Sequence, residues 1–288
     1  MLRFIILLFP LLSYSLLAES SVWRISKGSQ SFYIGGTCHA LRSSDYPLPP
    51  EFELAYSLSD TLVFEIDPSV TNDPSFTFQL LKTSSYQDKR SLKTVLSKKN
   101  FSALTKKCEQ NGFSIKVLNK TKPGMVVMML MVKELAKFNA TEEGVDLHFH
   151  RRALNDNKNI LALETAEFQI DLVSSMGDGM ENKIIALGLQ DIENLQNNFN
   201  ALVNTWRKGD LEAIDQYFTK NIRKYSKLHE KLIINRNKNW VNGFEAFLDT
   251  PDVEFVLVGV AHMAGEEGLI SLLQKKGYTI EQISVPSF

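Results

Sequence analysis

Two histidines stand at matching points of two similar phrases near opposite ends of the chain. Residues 32–39 read FYIGGTCH and residues 255–262 read FVLVGVAH, with Phe, Gly and His in the same places. Each phrase reads as a buried strand that runs into a glycine turn, where the missing Cβ lets the backbone bend. Each then delivers one imidazole, His39 or His262, to the end of a strand, where ligands and catalytic groups gather in sheet proteins. The chain has five histidines, so two in a repeated setting point to one shared site.

Carboxylates end two further apolar runs: Glu65 in VFEID and Glu164 in LALET. A buried carboxylate is costly unless it is paired or bound to a cation. His39 and His262 with one of these glutamates would make a divalent metal set, for Mn, Co or Zn, with a position left for water. The same three groups can work without metal, one His as general base on water and the Glu orienting it. Spacing does not separate the two, because the groups are far apart and neither HExxH nor CxxC occurs. Arg236, in IINRNKNW, offers a fixed cation for a carboxylate or a developing oxyanion.

The other candidates read as structural. His148 and His150, beside Arg151 and Arg152, and His229 in KYSKLHEKL read as solvated helix residues. Asp67 reads as a turn cap, and Glu143 and Asp146 as acids serving the N-terminus of a helix capped by Thr141. Cys38 is not a natural partner of His39, since neighbours on an extended segment face opposite ways. No GxSxG elbow is present.

The elements that must position these groups can be read from pattern. A hairpin is expected over 22–25 and 31–35 with its turn at Lys27-Gly28-Ser29, then a helix over 51–58 and strands over 61–66 and 159–164. Residues 114–118 read as a further short strand. Helices are expected near 76–81, over 92–110 and from Pro123 to Phe138, where the run MVVMMLMV suits core packing. A helix spans 141–152, and 166–248 is helical with breaks near 176–179, at Lys208-Gly209 and at Thr219. A strand over 254–258, a helix over 266–276 and a strand over 278–283 close the chain. This order implies a mixed α/β (α+β) fold. Its central sheet is expected to consist of two related halves, one per Gly-x-x-His phrase, packed about a two-fold and covered by helices.

MLRFIILLFPLLSYSLLAES opens with one basic residue and an apolar stretch shorter than the roughly 20 residues of a spanning helix. It reads as a secretory signal peptide over residues 1–18, leaving 19–288 as one exported, periplasmic or secreted domain with no integral membrane segment. A formal charge of −1 gives no pointer to nucleic acid. The two cysteines, Cys38 and Cys108, could pair in an oxidising compartment.

The blocks GGTCHALRSSDYPLPPEFELAYSLSDTLVFEID, EEGVDLHF, ILALET, INRNKNW and VLVGVAHMAGEEGLISLLQKKGYTIEQI, in this order, resemble TraB/GumN proteins over residues 22–283. That family is similar to the metal-dependent Tiki proteases, to erythromycin esterase-like hydrolases that work with His and Glu, and to haem-binding ChaN-like proteins. The resemblance implies functional positions at His39, Glu65, Arg236 and His262. The expectation is an exported hydrolase, in the first instance a metal-dependent peptidase with His39, Glu65 and His262 as the metal set, Glu65 serving as ligand or base, and Arg236 stabilising the oxyanion. The alternatives are a metal-free esterase-like hydrolase and a non-catalytic binding protein for a peptide, haem or another small ligand.

Overall fold

The computed structural model describes residues 17–140 and 144–286. Among the described residues six strands form one mixed sheet: β1 Leu17–Lys27, β2 Gln30–Thr37, β3 Thr61–Phe64, β4 Asn159–Ala162, β5 Glu254–Gly259 and β6 Thr279–Pro286. Their order is β4-β3-β5-β2-β1-β6. The first four in that order run parallel, and β1 is antiparallel to both of its neighbours. Gly28, at φ +64°, turns β1 into β2 as the hairpin pattern requires.

Parallel strands need cover on both faces, and β2, β3 and β5 have it, while the edge strand β4 is largely exposed. Tyr33 pairs with Phe255, so Phe255 points away from the side that Phe32 faces. Phe32 packs on Phe244, Phe247 and Tyr278, with ring centroids 5.5, 5.7 and 6.3 Å away. That side is closed by the helix Asn235–Gly243 and its neighbour Leu269–Lys275. Phe255 packs on Phe52 and Phe149, with Phe52 also against Trp206. These rings come from the helices Pro50–Ser57, Val145–Asn155 and Glu181–Lys208. Trp206 Nε1 donates to Gly36 O at 2.6 Å, which ties the long helix to the end of β2. A second apolar cluster, with Leu92, Leu104, Cys108, Leu130 and Ile185, joins the helices over 92–137 to the long helix.

Several expectations change. The two Gly-x-x-His phrases are not related by a two-fold: β2 and β5 lie side by side, parallel and nearly in register, Thr37 opposite Gly259. Nor is the sheet made of two halves, since β5 inserts between β2 and β3. Residues 115–118 are a short helix rather than a strand, and Leu118 seals the second cluster. Thr219 is not a break but the end of a π-helical turn, Asp215–Thr219. The capping role given to Thr141, and Glu143 with it, lies outside the described residues; the described helix starts at Val145 with Gly144 before it. The expected leader also lies outside them, apart from its last two residues, whose backbone opens β1. Among the described residues no helix is long and apolar enough to cross a membrane. Cys38 and Cys108 are free thiols in different parts of the molecule.

Candidate active site

Four parallel strands end on the same edge of the sheet, and each supplies a group just beyond its last residue. β2 leads to His39, β3 to Glu65, β4 to Glu164, and β5 to the short 3-10 turn Val260–His262. Backbone pairing continues past the strands, Leu163 N donating to Phe64 O and Glu164 N to Glu65 O, both at 2.9 Å. The two carboxylates are thereby neighbours before any side-chain contact is made.

Gly259 is the point where the groups meet. A Cβ built on it would lie 3.3 Å from Glu65 Oε1, 3.6 Å from His39 Nε2 and 3.8 Å from His262 Cδ2. The absent side chain leaves the Gly259 N–H open to donate to Glu65 Oε1 at 2.7 Å. Gly36 serves the approach from the other strand, since a Cβ there would meet Val260 at 2.9 Å. Gly36 is thus required by its closeness to Val260, and Gly259 gives Glu65 and His39 room to converge on its backbone.

Arg236 binds the carboxylates from the helix above. Its Nε donates to Glu164 Oε1 at 2.7 Å, and its Nη2 donates to Glu164 Oε2 at 3.0 Å and to Glu65 Oε2. Its Nη1 donates to Leu232 O at 3.3 Å and to His262 Nε2 at 3.0 Å. The Leu232 carbonyl comes from a π-helical turn, Glu230–Ile234, a feature that often marks functional sites. All five guanidinium N–H groups are therefore used inside the protein, and none is left to face an oxyanion.

Two histidines with the same local sequence have opposite surroundings. His262 is buried, its ring 4.5 Å from that of Trp240. Asn237 Nδ2 donates to His262 O at 3.1 Å and to Glu267 O at 2.7 Å, so its Oδ1 must face the ring. His262 Nδ1 then donates to Asn237 Oδ1 at 2.6 Å, and Nε2 is the nitrogen that accepts from Arg236. Burial depresses its pKa to about 3, against the pull of Glu65. His262 is neutral, with both nitrogens engaged.

His39 is open, its side chain 69% exposed, with Nδ1 2.8 Å from Asp146 Oδ2. The Asp146 carboxylate raises the His39 pKa to about 9, in spite of partial desolvation. This acid comes from the first turn of the helix Val145–Asn155, which is pressed against the His39 loop. Val145 N donates to Cys38 O at 3.1 Å, and a Cβ on Gly144 would collide with the Cys38 and His39 carbonyls. Burial pushes the Cys38 thiol up, with Asp146 adding to the effect, so Cys38 is no thiolate nucleophile. Glu65 goes the other way: burial alone would raise it, but Arg236, His262, His39 and the Gly259 N–H bring its pKa down to about 2.

The geometry brings His39, Glu65, Arg236 and His262 together, with Glu164 beside them. Asp146, read as a helix-terminus acid, is in addition the partner of His39. Asn237, which fixes the His262 tautomer, has no motif of its own in the sequence, although it follows Arg236 directly in INRNKNW. The three remaining histidines are less solvated than their charged neighbours suggest. His150 is buried, 3.3 Å from Asp67 and edge-on to Phe64, His229 is also buried, and His148 is half-buried. Asp67 accepts from Ser69 N at 2.8 Å, the turn cap expected of it.

A resident divalent ion does not fit this donor set. Ligation by His39, Glu65 and His262 needs a free lone pair from each, directed at one point. His262 has none, and the Arg236 cation sits 3.0 Å from the nitrogen that would bind. Among the described residues no group of three or more His, Cys, Asp or Glu is arranged to hold a metal ion.

A family model described as the TraB/PrgY/gumN family matches residues 21–282. No curated protein and no solved structure matches the chain. With nearly the whole chain spanned, including all four strand ends of the site, the protein belongs to the TraB/PrgY/gumN family.

Proposed function

We propose that the protein is an exported hydrolase that cleaves peptides by acid–base chemistry on water, with His39 as acid and Glu65 as base. One observation carries this: Glu65, held by Arg236 and the Gly259 N–H, and His39, held by Asp146, converge on one point beside Gly259, and these partners drive them to opposite charge states, Glu65 down to about 2 and His39 up to about 9. Pairs pushed apart in this way mark the acid and the base of a site. Between those values Glu65 is a carboxylate and His39 an imidazolium.

Water held between Glu65 Oε1 and His39 Nε2 gives a proton to Glu65 as its oxygen attacks the carbonyl carbon. The C–N bond breaks as His39 Nε2 passes its proton to the leaving nitrogen. Glu65 then returns its proton to His39, which restores both groups. Asp146 holds the His39 ring and keeps it charged, as an orienting carboxylate does. Arg236 keeps Glu65 ionised and aimed, with Glu164 and His262 fixing the guanidinium in turn. This gives Arg236 a positioning role in place of the oxyanion role expected from the sequence.

The test is digestion of a defined peptide mixture by purified protein, read by mass spectrometry. Wild type should cut, while Glu65→Gln and His39→Ala, still folded by circular dichroism, should not. Binding without cleavage by wild type would favour the non-catalytic alternative.

A further inference from the structure

The site lies where two hollows meet, and they differ in character. One, of 270 Å³, is lined by His39 and Glu65 with Thr71, Asp146, Leu147 and Gln169 among its other walls. The second, of 340 Å³, also contains His39 and Glu65, but its far walls are Leu135, Leu195, Phe199, Leu202, Val203 and Phe218. Its volume falls in the range of small-ligand pockets. On its rim Arg236 has used every N–H and neutral His262 both nitrogens, and the two charged groups that remain, His39 and Glu65, stand at the reacting end. A charged substrate group placed against the far walls would lose water and meet only apolar side chains, with no counter-charge there, which is strongly unfavourable.

We infer that this chamber is a specificity pocket for a large apolar side chain, Leu, Phe or Met, next to the scissile bond, the chain continuing into the smaller cleft. This rests on the hydrolase proposed above and names its substrate class. The chamber has a built-in limit. Leu195, Leu202 and Phe218 also line a further hollow of 280 Å³, so Phe218 forms part of a partition between the two spaces.

Two measurements test it. In the peptide digest, one position flanking the cut should be restricted to large apolar residues, with Lys, Arg, Asp and Glu disfavoured there by roughly 100-fold or more. Phe218→Ala should extend the preference toward Trp, and Leu202→Glu should admit Lys and Arg; both positions are only partly buried. Cuts flanked at random by charged and apolar residues, from an active wild type, would overturn the inference and leave the hydrolase intact. The second measurement is calorimetric binding of N-acetyl-leucinamide and N-acetyl-lysinamide to Glu65→Gln protein. Tighter binding of the leucine compound supports the pocket even if wild type proves unable to cut, and equal binding overturns it.

Discussion

Asp146 Oδ2 lies 2.8 Å from His39 Nδ1, and the two residues reach each other from elements more than a hundred positions apart. The pair keeps His39 charged, so the proposed acid should fail as pH rises through about 9. Asp146→Asn removes the charge but retains the hydrogen bond, and should move the alkaline limb of kcat/KM down toward the ordinary histidine value near 6.5. A pH–rate profile reads both. An unmoved limb in Asp146→Asn would separate His39 from the reaction.

Gly144 offers a second way to disturb the same pair. A methyl group there collides with the Cys38 and His39 carbonyls, so the helix must draw back with Asp146. Gly144→Ala should lower kcat by about 10- to 1000-fold, as expected when a catalytic group is misplaced by about an ångström. It should shift the alkaline limb in the same direction as Asp146→Asn. Unchanged kcat would mean that the loop tolerates the displacement.

The Arg236 pairs set the stability of the sheet edge. Arg236→Met leaves Glu65 and Glu164 adjacent, buried and without their cation, and should cost about 3–5 kcal/mol in urea unfolding. Adding Glu65→Gln and Glu164→Gln to that variant should recover part of the loss, because the uncompensated charges are then gone. No recovery would place the cost in packing against Trp240, whose ring lies 4.7 Å from the guanidinium.

His262 should make the fold acid-sensitive. Its pKa is depressed to about 3 when folded, so the unfolded chain binds its proton first as pH drops below 6.5. Stability contributed by the neutral ring is full above 6.5 and is lost between 6.5 and 3, at up to about 1.4 kcal/mol per pH unit. Glu65, also depressed, adds a loss of the same sign below about 4.5. Urea midpoints across this range should fall more steeply for wild type than for His262→Asn. Parallel slopes would contradict the buried neutral assignment.

Much of this site can be read from local pattern, because strands that end in Gly-x-x-His or in Glu announce both their burial and their exit. FVLVGVAH and VFEID need no partner to be recognised as buried strand ends. The relationship between the two histidine phrases cannot be read in the same way. Similar sequences placed in adjacent parallel strands share a register, yet the chain leaves those strands along different paths: His39 enters an open loop and His262 a buried 3-10 turn. Similarity of phrase therefore carries no information on charge state or free lone pairs. Asp146 is hidden for a related reason, since an acid in a first helical turn has a sufficient local explanation. Residues 115–118 illustrate tertiary override: a short apolar run is decided by its packing partners, here a helical cluster.

The decisive measurement is kcat/KM against pH for protein exhaustively treated with chelator, using a peptide that carries Leu or Phe beside the cut. The result expected is turnover undiminished by chelation, with an alkaline limb near pH 9 and no activity in His39→Ala or Glu65→Gln. Activity that vanishes with the chelator and returns with Mn²⁺, Co²⁺ or Zn²⁺ would contradict it, and would require Arg236 to release His262 for an ion.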